Sequence, residues 1–254
     1  MTARGAVWPE GHARLILDET PSTQDVARAE ARAGRAGPLW IMARRQTAGR
    51  GRRGRVWTAP PGNLSCTVLL RPGVPAKLAA GYGFVAALAM AELVSAAAPA
   101  GRVALKWPND VVLDGGKAAG VLLESEGQGG RVDWIAAGMG VNLAGHPPAE
   151  AGAALPPISV AATGATPPPP EEALTILAAA FARHAARLEA GGFAPIREAW
   201  LARAFRFGEE IEARLPAETI RGRFADLDAD GALVLHVPGG VRRVPAADVH
   251  FPAA

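Results

Sequence analysis

The residues best suited to bind an anion form an arginine-rich run between positions 49 and 55. Its sequence is Gly-Arg-Gly-Arg-Arg-Gly-Arg, and the surrounding residues 31–91 contain nine Arg, one Lys and no Asp or Glu. Each planar guanidinium can donate two hydrogen bonds to one anion, and no carboxylate nearby in the sequence neutralises the charge. This pattern predicts a phosphate-binding loop.

The glycine spacing in this run matches the G-x-G-x-x-G fingerprint of dinucleotide-binding proteins, but its context does not. That fingerprint needs a helix that begins inside it and an acidic residue about 20 positions later. Here Val56, Trp57 and Pro60-Pro61 follow, and the next acid is Glu92. A Walker A loop is excluded because no Lys-Ser or Lys-Thr pair follows the last glycine. We therefore expect a flexible ligand-binding loop, with a loop for nonspecific RNA or DNA as the alternative.

Lysine is rare in this chain, and two of its three lysines lie in one polar segment. Lys106 opens the sequence Lys-Trp-Pro-Asn-Asp, which ends in Asn109 and Asp110, and Lys117 follows shortly before Gly120. The lysine ammonium is a compact point charge, whereas arginine is a planar fork. The choice of lysine here favours a specific role for Lys106 and Lys117 beside an anion.

Polar residues from three other places complete the candidate site. They are Ser22, Thr23 and Gln24 at a predicted helix start, Gln46 before the arginine run, and Asn142 after two glycines. A helix N-terminus presents unpaired backbone amides that favour an anion. Taken singly, Ser22 is equally well explained as a helix cap and Asn142 as a turn residue. Taken together, these residues predict a pocket for a polar head group, a carboxylate and a nucleotide.

The elements that must position these residues alternate between strands and helices. A capping box at Ser22–Asp25 opens a helix that ends at Gly34, and an apolar helix spans about Ala76 to Ala97. Strands are predicted at Arg14–Leu17, Leu39–Ala43, Leu64–Leu70, Val103–Lys106, Val111–Leu113, Ala118–Glu124 and Trp134–Gly138, with a hairpin turn at Gly115-Gly116. The pattern predicts an α/β (α+β) fold, a mixed β-sheet with helices packed on one side of it.

The second half of the chain changes character twice. Residues 147–170 are rich in proline and are interpreted as a linker-like segment, and helices follow at Glu171–Ala190 and Ala194–Ala204. From Gly208 onward, short alternating segments with turns at Asp230-Gly231 and Gly239-Gly240 predict a small β-barrel. We therefore divide the chain into a catalytic-type domain at 1–205 and a C-terminal barrel at 206–254.

Composition restricts the class of protein. The formal net charge is only +3, so positive charge is concentrated in one region, whereas a nucleic-acid binder is more often basic over a whole face. The single cysteine, Cys66, cannot form an internal disulfide and is predicted to be a buried thiol, which indicates a reducing, cytoplasmic location. The apolar stretch Leu78–Ala98 is interrupted by Glu92 and is predicted to be a buried helix, not a membrane span. Residues 1–19 contain no signal-peptide pattern.

Four motifs, in this order and at these spacings, resemble the catalytic domain of biotin protein ligases. They are AGRGRRGRVW, KWPNDV, GGKAAGVLLE and GMGVN. The resemblance runs from about Leu15 to Asn142 and continues more loosely into a C-terminal SH3-like barrel at about 208–254. It implies a class II synthetase-like biotin/lipoate ligase domain. It also implies a two-step reaction, in which the biotin carboxylate attacks the α-phosphorus of ATP and the acyl group of biotinyl-5′-AMP then passes to a carrier lysine.

The resemblance also implies roles for individual residues. Biotin would contact Ser22, Thr23, Gln24, Gln46, Arg50, Gly51, Arg52, Lys117 and Gly120. The nucleotide would contact Arg50, Arg52, Arg55, Trp57, Lys106, Asn109, Lys117 and Asn142, with Mg²⁺ on its phosphates and no metal site on the protein. Lys117, Arg52, Lys106 and Asp110 would be catalytic, with Asp110 orienting or deprotonating the acceptor amine or serving a metal-side or structural role. The family commonly has Asn after the Ser-Thr pair, so Gln24 departs from the pattern.

The implied partners are ATP, biotin and the biotin carboxyl carrier domain of acetyl-CoA carboxylase or a related carboxylase, and a homodimer is compatible with the sequence. Some family members carry an N-terminal winged-helix DNA-binding domain. About fourteen residues precede the first predicted strand here, so we expect no sequence-specific DNA binding. Two alternatives stay open: a lipoate–protein ligase of related fold, which the arginine loop and the barrel disfavour, and a nonspecific nucleic-acid-binding protein.

Overall fold

The computed structural model describes residues 5–251, which form two β-sheets and five α-helices. The strands of the first sheet are β1 (Ala13–Thr20), β2 (Leu39–Gln46), β3 (Leu64–Leu70), β4 (Val103–Lys106), β5 (Asp110–Leu113), β6 (Gly116–Gln128) and β7 (Arg131–Val141). The helices are α1 (Thr23–Arg32), α2 (Ala76–Ala79), α3 (Gly81–Ala97), α4 (Pro170–Gly191) and α5 (Ala194–Leu201). The second sheet contains β8 (Glu210–Arg214), β9 (Thr219–Leu227), β10 (Leu233–Val237), β11 (Gly240–Val244) and β12 (Asp248–His250).

The first sheet is mixed, as the sequence predicts. Its order is β1-β2-β3-β7-β6-β5-β4, with β1 parallel to β2 and all other neighbours antiparallel. The hairpin between β5 and β6 turns at Asp114 and Gly115, which both have positive φ. The predicted turn at Gly115-Gly116 is therefore wrong by one residue, since Gly116 already belongs to β6.

Helices cover both faces of this sheet, so the prediction of helices on one side only is wrong. In β2, Leu39 and Ile41 pack with Ala27 of α1, while Trp40 and Met42 face the larger core that contains α3 and α4. Residues 39–43 of β2 are all buried. A strand that is apolar on both faces needs cover on both, and α1 supplies the second layer.

The apolar segment at Ala76–Ala97 is the central core helix. It comprises α2 and α3, and thirteen of the seventeen residues of α3 are buried against the sheet and α4. By length and composition this segment also qualifies as a membrane span, but 72% of its most apolar window is buried inside the protein. The sequence-based prediction of a buried core helix is therefore confirmed.

The proline-rich segment at 147–170 is not a linker. Its second half is tied to the sheet by backbone hydrogen bonds, with the Lys117 amide donating to Pro156 and the Ile158 amide donating to Lys117. Ser159 and Val160 are buried. The prolines remove backbone donors but leave carbonyl acceptors, and through these the segment pairs with Lys117 near the beginning of β6.

The second sheet has the antiparallel order β11-β10-β9-β8-β12 and packs against the first domain. The indole of Trp107 donates a 3.0 Å hydrogen bond to the carbonyl of Gly231 in the turn between β9 and β10. The Gly231 backbone lies against Phe84 of α3. Trp107, which follows β4, is thus part of the interface between the two sheets.

Candidate active site

The candidate site lies on the face of the large sheet that carries α1. Strand register aligns one residue from each of five neighbouring strands on this face, in the order Lys106, Asp110, Gly120, Gly140 and Ser65. Cross-strand neighbours in register have their Cβ atoms about 5 Å apart. The row therefore places the charged side chains of Lys106 and Asp110 next to two glycines, which have no side chain. The cavity above this row has a volume of about 450 Å³, within the range of small-molecule sites.

The floor of the cavity is bare backbone. A Cβ atom at Gly140 would lie 2.3 Å from the Trp57 indole, and one at Gly138 would lie 3.0 Å from the Gln24 side chain. Both side chains therefore pack directly on strand β7, as only glycine allows. Among the described residues, Trp57 Nε1 and Gln24 Oε1 are buried without a hydrogen-bond partner. A buried donor and a buried acceptor left unpaired at a cavity floor are suited to a polar ligand.

A buried carboxylate between two lysines forms one wall. Asp110 Oδ1 lies 2.7 Å from Lys117 Nζ, and Asp110 Oδ2 lies 3.6 Å from Lys106 Nζ. The side chains of Asp110 and Lys106 are 12% and 7% exposed, whereas that of Lys117 is 33% exposed. Lys117 is thus the lysine that is open to the cavity.

The protonation behaviour of this cluster follows from its burial. Burial by itself raises the pKa of Asp110, but Lys117 and Lys106 outweigh it and hold that pKa below the ordinary aspartate value. Burial lowers the pKa of Lys106, and the attraction of Asp110 offsets only part of that effect. Asp110 is therefore an anion at neutral pH and a weak base.

The arginine run is a closed loop over the cavity. Its two ends pair through an antiparallel bridge between Arg50 and Val56, and the Gly51 amide donates to the Arg55 carbonyl at 2.7 Å. A short 3-10 turn, which sequence reasoning did not predict, covers 52–54, with Arg53 in the left-handed region at φ 56°. The loop is thus structured by its own backbone.

The arginines of this loop bind groups from distant parts of the chain. Arg52 donates a 3.1 Å hydrogen bond to Asn109 Oδ1, and Arg50 pairs with Asp25 of α1. Burial, followed by repulsion from Arg53, lowers the pKa of Arg52. The hydrogen bond to Asn109, which precedes Asp110 in the chain, holds Arg52 beside the two lysines.

The start of α1 lies at the opposite side of the cavity. Ser22 is the N-cap and accepts a hydrogen bond from the Gln24 amide, as the capping pattern predicts. The amide and hydroxyl of Thr23 both donate to Gln46 Oε1, which fixes the Gln46 amide group. Gln24 Nε2 donates to the carbonyl of Leu122, and its Oε1 lies over Gly138, buried and without a hydrogen-bond partner among the described residues.

All of the candidate residues chosen from the sequence line this one cavity, from Ser22 to Asn142. The side-chain amide of Asn142 is engaged within the protein, as is that of Asn109, which donates to the carbonyl of Val121. Asn142 Nδ2 donates to the carbonyl of Ile158 at 3.1 Å, and the residue is buried. Its visible role is to hold the second half of the proline-rich segment against β7.

Two groups of lining residues were missed by sequence reasoning. The first half of the proline-rich segment, from Pro147 to Leu155, borders the cavity, as do Asp248, Val249 and His250 of β12. Burial, followed by repulsion from Arg214, lowers the pKa of His250. The proline-rich composition suggested a linker, and no local motif marks β12. Cys66 also borders the cavity, but its side chain is buried in the core and burial raises the pKa of its thiol, as expected for an unreactive thiol.

Comparison with known families and proteins identifies the same region. The model of the biotin/lipoate A/B protein ligase family matches residues 17–142, and that of the biotin protein ligase C-terminal domain matches residues 207–251. A biotin–[acetyl-CoA-carboxylase] ligase from Paracoccus denitrificans is 51% identical over 223 residues, which are 86% of this chain and 92% of that protein.

Solved structures with the same fold include two that carry ligands. The biotin protein ligase from Aquifex aeolicus in complex with biotin and ATP has a TM-score of 0.74 at 23% identity, with 93% of this chain and 97% of that chain covered. The biotin protein ligase from Leishmania major in complex with biotinyl-5-AMP has a TM-score of 0.62 at 26% identity, with 94% and 100% covered.

Proposed function

The chain belongs to the biotin/lipoate A/B protein ligase family and is a biotin protein ligase, and from this premise we propose how its cavity carries out the reaction. The observation that supports the assignment most strongly is the group of cations, Lys106, Lys117 and Arg52, beside a bare glycine floor. Joining two anions, a carboxylate and a triphosphate, requires such preorganised positive charge.

In the first step, an oxygen of the biotin carboxylate attacks the α-phosphorus of ATP. The new bond is C(O)O–P, the α–β phosphoanhydride bond breaks, and pyrophosphate leaves. The carboxylate is already ionised at neutral pH, so this step needs no general base. Lys117 supports the approach because its ammonium is the more exposed of the two lysines. Arg52 and Lys106 stabilise the charge that develops on the phosphate.

We propose that the head group of biotin lies near α1. Gln24 Oε1 is a free acceptor for a ureido N–H, while Ser22, Thr23 and Gln46 shape the same wall. Arg50, Gly51 and Gly120 border the carboxylate end. Trp57 covers β7 beside Lys117, whose Nζ lies 5.7 Å from the ring centroid, and offers its face to the nucleotide base. Arg55 and Asn109 complete the proposed nucleotide set, while Asn142 supports this part of the cavity through its hydrogen bond to Ile158.

In the second step, the amine of a carrier lysine attacks the acyl carbon, a C–N bond forms, the acyl–phosphate C–O bond breaks and AMP leaves. We propose that Asp110 does not remove the amine proton, because Lys117 and Lys106 outweigh burial and hold the pKa of its carboxyl below the ordinary value, which makes it a weak base. We assign it instead to positioning Lys106 and Lys117. The acceptor is proposed to be the biotin carboxyl carrier domain of acetyl-CoA carboxylase or a related carboxylase.

Magnesium is proposed to arrive with ATP. Within residues 5–251, no group of three or more His, Cys, Asp or Glu side chains is arranged to hold a metal ion. Asp110 is neutralised by its lysines, so the donor set does not fit a resident metal. Bound to the phosphates, Mg²⁺ would reduce their negative charge.

Three further expectations belong to this proposal. A cytoplasmic location is supported by the free, buried thiol of Cys66. The C-terminal sheet is proposed to be an SH3-like barrel that forms a domain of its own from about residue 206. β1 is an edge strand of the described sheet, and an edge strand can pair with a second chain. A homodimer is therefore part of the proposal, and sedimentation tests it.

The decisive experiment is incubation with MgATP, a carrier domain, and either biotin or lipoate, followed by mass measurement of the carrier. We expect a mass increase of one biotinyl group with biotin and none with lipoate. Modification by lipoate would support a lipoate ligase instead. Salt-sensitive binding to RNA or DNA, indifferent to ATP and without any mass change, would support the nucleic-acid alternative.

A further inference from the structure

Two residues at the tip of the arginine loop share one carboxylate, and that carboxylate comes from the other sheet. Arg53 Nη1 lies 2.7 Å from Asp248 Oδ2, and Arg55 Nη2 lies 2.5 Å from the same atom. Asp248 begins β12, the last strand of the C-terminal sheet. The loop and this strand are more than 190 residues apart in the sequence.

The conformation of the loop makes this double contact possible. Arg53 and Gly54 both have positive φ, and the Arg55 amide donates back to the Arg52 carbonyl at 3.2 Å. The chain therefore turns sharply between Arg53 and Arg55, which brings both guanidinium groups to one carboxylate. The bond from the Gly51 amide to the Arg55 carbonyl links this tip to the base of the loop.

Electrostatics explain why the loop needs an external anion. The loop has four arginines and no acid of its own. Burial is the main cause that lowers the pKa of Arg52, and repulsion from Arg53 and Arg55 lowers it further, which shows that the loop arginines repel one another. Asp25 pairs with Arg50 and Asp248 pairs with the tip, so carboxylates from two distant segments hold the loop at both ends.

We propose that Asp248 is a positioning residue of the ligase reaction, which holds the tip of the arginine loop closed over the cavity so that the acyl-adenylate is retained until the carrier arrives. This rests on the proposed function. It gives the C-terminal sheet a part in the chemistry, because Asp248 acts through Arg53 and Arg55 on the position of Arg52 and Trp57 without touching the reacting atoms. Water and bystander amines are thereby kept from the reactive ester.

The test is Asp248→Asn, which removes the charge at nearly constant shape. Full-length enzyme is loaded with biotin and ATP labelled at the α-phosphate in the presence of pyrophosphatase, and release of the labelled adenylate is followed after addition of excess unlabelled adenylate. We expect the adenylate to be released about five- to ten-fold faster from the variant than from the wild type. This is a modest effect for the loss of two ion pairs, because Arg55 is 61% exposed and its ion pair is screened by solvent. Formation of the adenylate should change less than its release.

Asp226→Asn is the matched control. Asp226 pairs with Arg197 of α5, so it is also a barrel carboxylate bound to an arginine of the first domain, but it lies away from the cavity. We expect its release rate to equal that of the wild type. Equal acceleration in both variants would mean that attachment of the second sheet in general matters, and would overturn the role of Asp248.

A second measurement uses the free protein. Limited trypsin digestion cleaves after arginine, and opening of the loop exposes the bonds after Arg53 and Arg55. Asp248→Asn should increase cleavage there, while Asp248→Glu, which keeps the charge, should restore most of the protection and retention. A glutamate variant as leaky as the asparagine variant would overturn the electrostatic argument.

The remaining outcomes are equally informative. Unchanged release and unchanged cleavage in Asp248→Asn overturn the proposal, as does slower release, which would mean that Asp248 competes with phosphate for the arginines. If the wild type forms no biotin-dependent adenylate, the proposed function fails, whereas the trypsin result still tests whether Asp248 holds the loop.

Discussion

Replacement of Asp110 by asparagine tests the argument about the charged wall of the cavity most directly. Asp110→Asn keeps the shape of the side chain but leaves Lys106, which is 7% exposed, without its anionic partner. Removing one partner of a buried ion pair costs about 3–5 kcal/mol. Because Lys117 is a third exposed and the Lys106 pair is 3.6 Å long, we expect the lower end, about 3 kcal/mol at neutral pH. That corresponds to a melting temperature lower by about 6–12 °C.

The pH dependence of this loss identifies its cause. The depressed pKa of Asp110 stabilises the wild type above the ordinary aspartate pKa of 3.8, and this contribution is lost as the pH falls through the folded-state value. In the variant, the charge penalty on Lys106 persists at neutral pH and disappears as the pH rises toward the unfolded-state pKa of 10.5. The difference in unfolding free energy should therefore be largest near neutral pH and shrink at both extremes.

Urea denaturation of both proteins across this pH range measures the difference. Asp114→Asn is the control, because Asp114 is an exposed aspartate on the same hairpin, and it should change stability by less than about 0.5 kcal/mol. Equal stability of Asp110→Asn and wild type at neutral pH would refute the reasoning. So would a loss that is constant with pH, since a packing defect alone has no reason to titrate.

Three further outcomes follow from the geometry. Arg52→Gly should still form adenylate but lose it to solution, so that mass spectrometry finds biotin on bystander lysines; full retention would contradict the closed-loop assignment. Lys117→Met should slow pyrophosphate release by more than about 100-fold with binding of biotin less affected, and a loss confined to the KM for biotin would argue against transition-state stabilisation. Gly140→Ala should displace Trp57, changing its fluorescence and weakening ligand binding, whereas Gly83→Ala on α3, where the nearest atom is 3.9 Å away, should be neutral or stabilising; equal binding by both variants would contradict the bare-floor geometry.

The strands that sequence reasoning located best are bounded by clear signals. The sequence predicts Leu64–Leu70 and Val103–Lys106 with the bounds that the structure has, because each is a short apolar run between proline, glycine or polar residues. The face on which each helix packs was not predictable in this way. The apolar periodicity of α1 is satisfied by either side of a sheet, and only the three-dimensional path of the chain decides between them.

The candidate site was predictable where its residues sit in local motifs. Lys106, Asp110 and Lys117 lie on the three consecutive strands β4, β5 and β6, and the arginine loop is a single run, so their types and spacing could be recognised. Asp248 carries no local signal, because its importance arises from a contact with Arg53 and Arg55 across the fold. The lining by Pro147–Leu155 was hidden by a composition that is equally typical of linkers.

The glycine floor of the cavity limits how its specificity can change. Gly120, Gly138 and Gly140 present main-chain atoms, which have no rotamers to exchange when a bulkier molecule enters. A larger analogue can be accommodated by movement of the uncharged side chains that rest on that floor, Gln24 on Gly138 and Trp57 on Gly140. Directed evolution toward enlarged substrates should therefore accumulate its replacements at these two positions and leave the glycines untouched.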